Sequence, residues 1–226
     1  MQAHIVIPAR LASTRLPRKP LVEFGGRKLI EHVVAKAMAT GLPVTVATDG
    51  PEIAALSLPC QVIVTGSDIA TGSDRVAAVA DLIQAEEIIN LQGDLPFIEP
   101  PQILLALNPL TAGYDVGTLV FEMDHADVAN RNSVKAICSV DRTLMRCHWF
   151  TRAPIAYGYH HAGIYAYSKK ALRAFAGLKR QKLELAEDLE QIRFLEAGYR
   201  IGACLTSKIR DEINTPADLE RARTTS

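Results

Sequence analysis

Four cations stand close together near the start of the chain. Arg10, Arg15, Arg18 and Lys19 lie in the run Ala9-Arg10-Leu11-Ala12-Ser13-Thr14-Arg15-Leu16-Pro17-Arg18-Lys19-Pro20, directly after the apolar stretch His4-Ile5-Val6-Ile7-Pro8. Arginine offers forked N–H donors to phosphate oxygens, and lysine offers a compact point charge. Ser13 and Thr14 add hydroxyls and are small enough to let backbone N–H groups approach an anion. A solvated basic loop is the plain alternative. The position after a first strand favours a phosphate grip, because open parallel sheets bind ligands beyond the carboxyl ends of their strands. Asp94 follows a later buried-looking strand, in Gln92-Gly93-Asp94. A carboxylate there can hold Mg²⁺, which takes oxygen ligands, keeps several waters and bridges to phosphates. Gly93 permits close backbone approach. On its own such an aspartate is more often a turn residue or a helix cap. Neither G-x-x-x-x-G-K-[ST] nor G-x-G-x-x-G occurs, which disfavours P-loop NTPases and dinucleotide-binding dehydrogenases. A triphosphate held by side-chain cations rather than glycine amides points to a nucleotidyltransferase.

These residues need elements to position them. Short β-branched runs at 4–8, 43–47, 61–64 and 87–91 alternate with helical patterns at 28–40, 51–57 and 73–85. The alternation predicts βαβ units: an α/β fold with a mostly parallel, doubly wound, three-layer sheet. In the first helical pattern Leu29, Ile30, Val33, Val34 and Ala37 make one apolar face. Past residue 110 strand-like runs at 115–121, 134–140 and 161–167 surround a less regular stretch. Helices near 168–176 and 183–197, a strand at 200–205 and a last helix near 215–223 follow, with Thr215-Pro216 as cap and first turn. We read one domain over 1–226. Its nucleotide-binding part covers about 1–110, and a small inserted sugar-binding and dimerisation part covers about 111–200.

The 226 residues carry 25 basic and 25 acidic side chains, so the net charge is zero. That balance argues against non-specific nucleic-acid binding. No apolar stretch approaches the roughly 20 residues that cross a bilayer, and no charged-then-apolar cleavable leader is expected ahead of the first strand. Cys60, Cys138, Cys147 and Cys204 form no C-x-x-C pair, so reduced, mostly buried thiols in a cytoplasmic protein are expected.

The opening string Ile7-Pro8-Ala9-Arg10 to Leu21 resembles that of the CMP-Kdo synthetases (3-deoxy-manno-octulosonate cytidylyltransferases), close to I-P-A-R-x-x-S-x-R-L-P-G-K-P-L. Further strings match the family in order: Ala47-Thr48-Asp49, Thr71-Gly72-Ser73-Asp74-Arg75, Gln92-Gly93-Asp94-x-Pro96, His161-Ala162-Gly163-Ile164-Tyr165-Ala166-Tyr167, Glu190-Gln191-Ile192-Arg193 and Asn214-Thr215-Pro216-x-Asp218-Leu219. The resemblance implies transfer of CMP from CTP to the anomeric hydroxyl of Kdo, with Mg²⁺ as cofactor, in a homodimer serving lipopolysaccharide biosynthesis. It implies that Arg10, Ser13, Arg15 and Lys19 bind the triphosphate, and that Thr71, Gly72, Ser73 and Gln92 hold the nucleoside. Asp94 and the residue at Asn214 would hold the metal. Lys135 is a further candidate cation, with a surface lysine as the equal alternative. Arg152 would bind the carboxylate of a 2-keto-3-deoxy sugar acid, and His161, Tyr165, Glu184, Glu187 and Gln191 would line the sugar pocket. Glu184, Glu187 and Gln191 share one helical face by spacing; a solvated face with ion pairs to Lys182 or Arg193 is the alternative. Ser73 could also cap the helix that follows.

Four features depart from the family pattern. Asn214 replaces an aspartate that ligates metal in the family, and Asp211 or Glu212 could substitute. A segment usual between the R-A-x-I-P string and the G-I-Y strand is missing, since Ile155 reaches His161 almost directly. Leu95 replaces an acidic residue, and Arg18 replaces a glycine. These departures leave two further readings open: a cytidylyltransferase for another keto-acid sugar, such as an amino-Kdo or a nonulosonic acid, and a catalytically weak CTP-binding regulatory homologue.

Overall fold

The computed structural model describes residues 3–13, 15–141, 143–209 and 212–225. Thr14 and Asp211, both named above, lie outside the described residues. The chain divides into two compact units: Met1–Ile103 with Arg210–Ser226, and Leu104–Ile209.

In the first unit the elements run β1 (Ala3–Ala9), a small hairpin of β2 (Glu23–Phe24) and β3 (Arg27–Lys28), α1 (Leu29–Met38), β4 (Val44–Thr48), α2 (Pro51–Ala54), β5 (Gln61–Val64), α3 (Gly72–Val79), β6 (Glu87–Leu91) and α4 (Pro100–Leu105). The strands line up β5-β4-β1-β6. Every pairing among them is parallel, with Ile5 opposite Val44, Ala3 opposite Glu87 and Thr45 opposite Gln61. Parallel strands covered on both faces read as continuous apolar runs, and Ile5, Val6, Ile7, Ile88, Ile89 and Leu91 are all buried. The five residues expected on the apolar face of α1 are also buried. Its first turn is closed by the Glu31 carboxylate, which accepts the Lys28 backbone N–H at 2.6 Å. Parallel pairing puts the carboxyl ends of β1, β4, β5 and β6 at one edge, where the chain leaves each strand for a loop.

The expected cap of the helix after β5 needs correction. Thr71, not Ser73, caps α3: its Oγ1 accepts the Asp74 N–H at 3.1 Å. Ser73 lies inside the first turn, buried, with its Oγ accepting from Asn90 Nδ2 at 3.2 Å.

The second unit contains α5 (Asn108–Thr111), β7 (Val116–Glu122), α6 (His125–Ala129), β8 (Lys135–Asp141), β9 (Leu144–Thr151), β10 (Tyr159–Ser168), α7 (Lys169–Gly177), α8 (Lys182–Glu187), α9 (Ile192–Glu196) and β11 (Ile201–Leu205). Its strands run β10-β7-β11-β9-β8, and β8 pairs back onto β10 through Tyr159 opposite Ala136. Here β11 and β7 are parallel and the other pairings antiparallel. Strand β9 was not expected from the sequence. The single helix expected over 183–197 is two, α8 and α9, because Asp188 turns into the left-handed region at φ 55°. The chain then re-enters the first unit, where α10 (Pro216–Thr225) closes it.

All four cysteines are free thiols; Cys147 and Cys204 are buried, Cys60 and Cys138 half-buried.

Candidate nucleotide and acceptor sites

The loop after β1 turns back on itself at Leu11, whose carbonyl accepts the Ser13 N–H at 2.9 Å. Arg10 reaches the Ala70 carbonyl at 3.3 Å, just ahead of the α3 cap. Arg18 adopts a left-handed conformation at φ 56° and leads into a short 3₁₀ turn beginning at Lys19. Its guanidinium pairs with Glu52 at 3.2 Å, both largely exposed, so it is committed to a surface ion pair rather than to the cluster formed by its neighbours.

That cluster brings the ends of the described first unit together. Lys19 Nζ donates to Asp94 Oδ2 at 2.7 Å and to Asn214 Oδ1 at 3.1 Å. Arg15 donates to the same Asn214 oxygen at 3.4 Å. The side chains of Lys19 and Asp94 retain only 19% and 20% of their exposure, so the pair is part-buried yet open to a ligand. Asp94 stands where it does because Gly93 packs against β1: an added Cβ would meet the Pro8 carbonyl oxygen at 3.3 Å. The returning chain docks beside it, as the Ile213 N–H donates to the Asp94 carbonyl at 3.0 Å. Asn214 is held on both sides. Its Nδ2 donates to Glu212 at 2.9 Å, and its backbone N–H donates to the Asp218 carboxylate at 2.9 Å. Asp218 also takes the Thr215 N–H, while Thr215 Oγ1 accepts from Asp218 in return, the capping expected of Thr215.

Beside α3 a polar chain runs from Ser73 through Asn90 to Gln92, whose Nε2 donates to Asn90 Oδ1 at 3.2 Å. The Gln92 amide lies against Gly72, where an added Cβ would come within 2.8 Å of Nε2. A larger residue at 72 would have to push that amide aside. Thr71, Gly72, Ser73 and Gln92 therefore share one surface.

The acceptor candidates all fall in the second unit. Arg152 donates to the Arg131 and Asn132 carbonyls at 3.2 and 3.4 Å. Glu187 accepts from Thr151 Oγ1 at 2.9 Å and from the Arg152 N–H at 3.0 Å, which fixes the backbone behind that arginine. His161 is buried with Nε2 3.0 Å from Thr118 Oγ1, and its ring tilts against Tyr165 at 5.4 Å. Burial first, then the nearby His160 and Arg152, push its pKa down from 6.5 to about 3, so it is a neutral imidazole. Lys135 is fully buried, with Nζ on the Asn130 carbonyl at 2.7 Å, not a surface lysine. Desolvation holds its pKa below the usual lysine value, against a pull from Asp127.

Glu184 is enclosed, and Arg193 grips both its oxygens at 2.7 Å while Arg180 adds a contact at 3.0 Å. The ion-pair alternative read from sequence thus describes its contacts, though the pair is buried rather than solvated. The expected common face of Glu184, Glu187 and Gln191 does not exist, since the helix ends at Glu187 and Gln191 belongs to the next turn. Gln191 is buried, and its Nε2 has no hydrogen-bond partner among the described residues.

The sequence profile of the family described as Cytidylyltransferase matches residues 4–201. A 3-deoxy-manno-octulosonate cytidylyltransferase of Chelativorans sp. (strain BNC1) is 44% identical, covering 99% of this chain and 96% of the relative. The chain belongs to the 3-deoxy-manno-octulosonate cytidylyltransferase family. A cytidylyltransferase of the same name from Rhodopseudomonas palustris (strain BisB5) is 43% identical over 97% of this chain and 95% of its own. Among solved structures, CMP:2-keto-3-deoxy-manno-octonic acid synthetase complexed with CTP superposes at TM-score 0.90. It is 35% identical and covers all of this chain and 98% of that one. A 4-diphosphocytidyl-2C-methyl-D-erythritol synthase from Anaerococcus prevotii shares the fold alone, at TM-score 0.66 and 15% identity. The alignment with the Chelativorans cytidylyltransferase runs to 241 positions, more than the 226 residues of this chain, so that relative carries residues absent here.

In this family member no group of three or more His, Cys, Asp or Glu is placed to ligate a metal among the described residues. Asp94 and Asn214 nevertheless present two hard oxygens to one point, the point now bracketed by the Lys19 ammonium. One carboxylate and one amide oxygen, completed by water and substrate phosphate, are a donor set that suits Mg²⁺. The residues fit the ion.

Proposed function

We infer that this cytidylyltransferase joins CTP to the anomeric hydroxyl of Kdo, giving CMP-Kdo and pyrophosphate. The observation that carries the reading is the convergence of Arg15, Lys19, Asp94 and Asn214 at the carboxyl ends of β1 and β6. The anomeric oxygen attacks the α-phosphorus, a new P–O bond forms, and the bond to the β-phosphate breaks with its electron pair leaving on pyrophosphate. The hydroxyl proton passes to water as the new bond forms. No covalent enzyme intermediate is needed.

The chain's own groups act by charge and placement. Arg10, Arg15 and Lys19 face the accumulating negative charge of the triphosphate and the departing pyrophosphate, already ordered before reaction begins. Ser13 adds a hydroxyl to that cradle, and Thr71, Gly72, Ser73 and Gln92 offer a close-fitting surface to the base. The neutral imidazole of His161 serves as a hydrogen-bonding group, not a cation. Arg152, with Tyr165, Glu187 and Gln191, supplies the polar lining expected for a carboxylated sugar, and we place Glu184 behind it, holding Arg193. Mg²⁺, held by the oxygens of Asp94 and Asn214, would neutralise phosphate charge and polarise the reacting phosphoryl group.

The same reading includes lipopolysaccharide biosynthesis, a homodimer and a cytoplasmic setting. The family resemblance supports the first two. For the setting, no described helix is long and apolar enough to cross a membrane.

Pyrophosphate release by purified protein with CTP, Mg²⁺ and Kdo tests the assignment. Turnover with Kdo sustains it. The short passage from Ile155 to His161 favours one alternative, a related keto-acid sugar, and turnover with such an acid but not with Kdo would replace the acceptor. CTP binding without turnover on any acid would overturn the enzyme reading.

A further inference from the structure

Two residues with no part in the scheme above, Asp49 and Arg75, meet in the first unit. Asp49 ends the run Ala47-Thr48-Asp49 just past β4, and Arg75 lies in the first turns of α3. Arg75 Nη2 donates to Asp49 Oδ2 at 3.0 Å, with side-chain exposures of 2% and 9%. Arg75 Nη1 donates to the Gly66 carbonyl at 3.2 Å and to Thr65 Oγ1, both just past β5. The other carboxylate oxygen, Asp49 Oδ1, accepts the backbone N–H of Leu11 at 3.1 Å. Leu11 is seated a second way. Its side chain covers Gly50, where an added Cβ would fall 2.7 Å from Leu11 Cγ and 2.8 Å from Cδ1.

A buried ion pair is by itself weak evidence of stabilisation, because an apolar pair can often fill the same volume at no loss. An apolar pair could not fix a backbone N–H. Asp49 does so at the turn of the phosphate loop, one residue after Arg10 and two before Ser13. The Arg75 fork fixes the carboxylate in turn, and it grows from the helix that starts at the Thr71–Ser73 surface. One ion pair thus ties the group that faces phosphate to the group that faces the base.

We propose that Asp49 and Arg75 are positioning residues that hold the phosphate loop in register with the base-facing turn, acting through Leu11. Neither touches a reacting atom. The inference rests on the nucleotide reading of the first unit and adds residues to it.

The test compares wild type, Asp49→Asn, Gly50→Ala and the double variant by pyrophosphate release, with melting temperature beside it. Asp49→Asn keeps shape but removes the charge opposite Arg75. Gly50→Ala leaves the ion pair intact and lifts Leu11 from its seat; Gly50 has φ −96° and ψ 113°, which alanine adopts freely. Each single change raises KM for CTP on the order of tenfold or more, as expected for displaced binding groups, and leaves KM for the sugar acid unchanged. The double variant loses less than the product of the two, since both act on one residue. Wild-type KM for CTP in a folded variant, equal loss for both substrates, or strictly multiplicative losses would overturn the proposal. Should Asp49→Asn not fold, Gly50→Ala alone decides. Wild-type turnover in the same assay checks the functional reading separately; were it absent, CTP dissociation constants from calorimetry carry the same comparison.

Discussion

Replacing Glu184 by glutamine separates a structural role from a ligand role at one position. The carboxylate is 0% exposed and its main partner, Arg193, 3% exposed. The two are joined by a fork of two 2.7 Å contacts. The Arg193 guanidinium also lies 4.1 Å over the Phe175 ring, so it cannot swing out to water without giving up that packing. In Glu184→Gln the amide Nε2 must face a guanidinium N–H, donor against donor, and a buried cation keeps only part of its partner. Removing one member of such a pair costs about 3–5 kcal/mol, against at most about 1 kcal/mol for an exposed pair. The half-exposed Arg180 adds little to that figure. For a chain of this length each kcal/mol moves the melting temperature by about 2–4 °C, so the expected drop is on the order of 6–20 °C. Scanning calorimetry reads it on whichever transition the substitution moves, because the two units need not unfold together. The companion measurement is KM for the sugar acid at a temperature where the variant is folded. A melting temperature within about 2 °C of wild type, with KM for the acid raised, would refute the argument and return Glu184 to the acceptor lining.

Three other outcomes are expected. Asp94→Asn lowers kcat by at least about 10²–10³-fold, the cost of losing one pre-placed transition-state contact, while circular dichroism shows an intact fold; near-normal turnover would remove Asp94 from the site. His161 titrates near 6.5 when unfolded and about 3 when folded. The unfolded chain therefore binds the extra proton first, and stability present above about pH 6.5 is lost as pH falls toward 3. Urea midpoints measured down that range should fall less steeply in His161→Gln, and identical slopes would contradict the burial argument. Gly117→Ala puts a Cβ into the Ala106 carbonyl oxygen and against Pro109. Overpacking of that kind costs about 1–3 kcal/mol, and an unchanged urea midpoint would show that the backbone there yields.

The parallel half of the fold was legible because its physics is local. Strands buried on both faces must be apolar throughout, so β1, β4 and β6 stand out, while the half-exposed edge strand β5 shows by its β-branched run. The rule that ligands gather at carboxyl ends pointed to Arg15, Lys19 and Asp94. Strand β9 was harder. Met145 and Cys147 are buried and Arg146 and His148 exposed, a period-two signal without turn residues to mark its bounds. The break at Asp188 left no trace, since no glycine or proline announces a left-handed residue there. Thr71 and Ser73 are equally good caps in isolation, and a tertiary contact from Asn90 decides between them. The partners of Lys135 and Arg18 were likewise out of reach, because each depends on segments brought together by the whole unit; for Glu184 the sequence offered Arg193 but not the burial of the pair.

Asn214 and Arg15 touch although 199 positions separate them, and the whole of Leu104–Ile209 is threaded through that interval. Translation at about 5–20 residues per second delivers the asparagine on the order of 10–40 s after the arginine. The emerging basic loop must therefore wait, without its oxygen partner, until the second unit has left the ribosome. A chain cut short anywhere in that interval would display the cations but lack the side chain on which Arg15 and Lys19 both close, which makes completion of the cluster a late event in the life of the polypeptide.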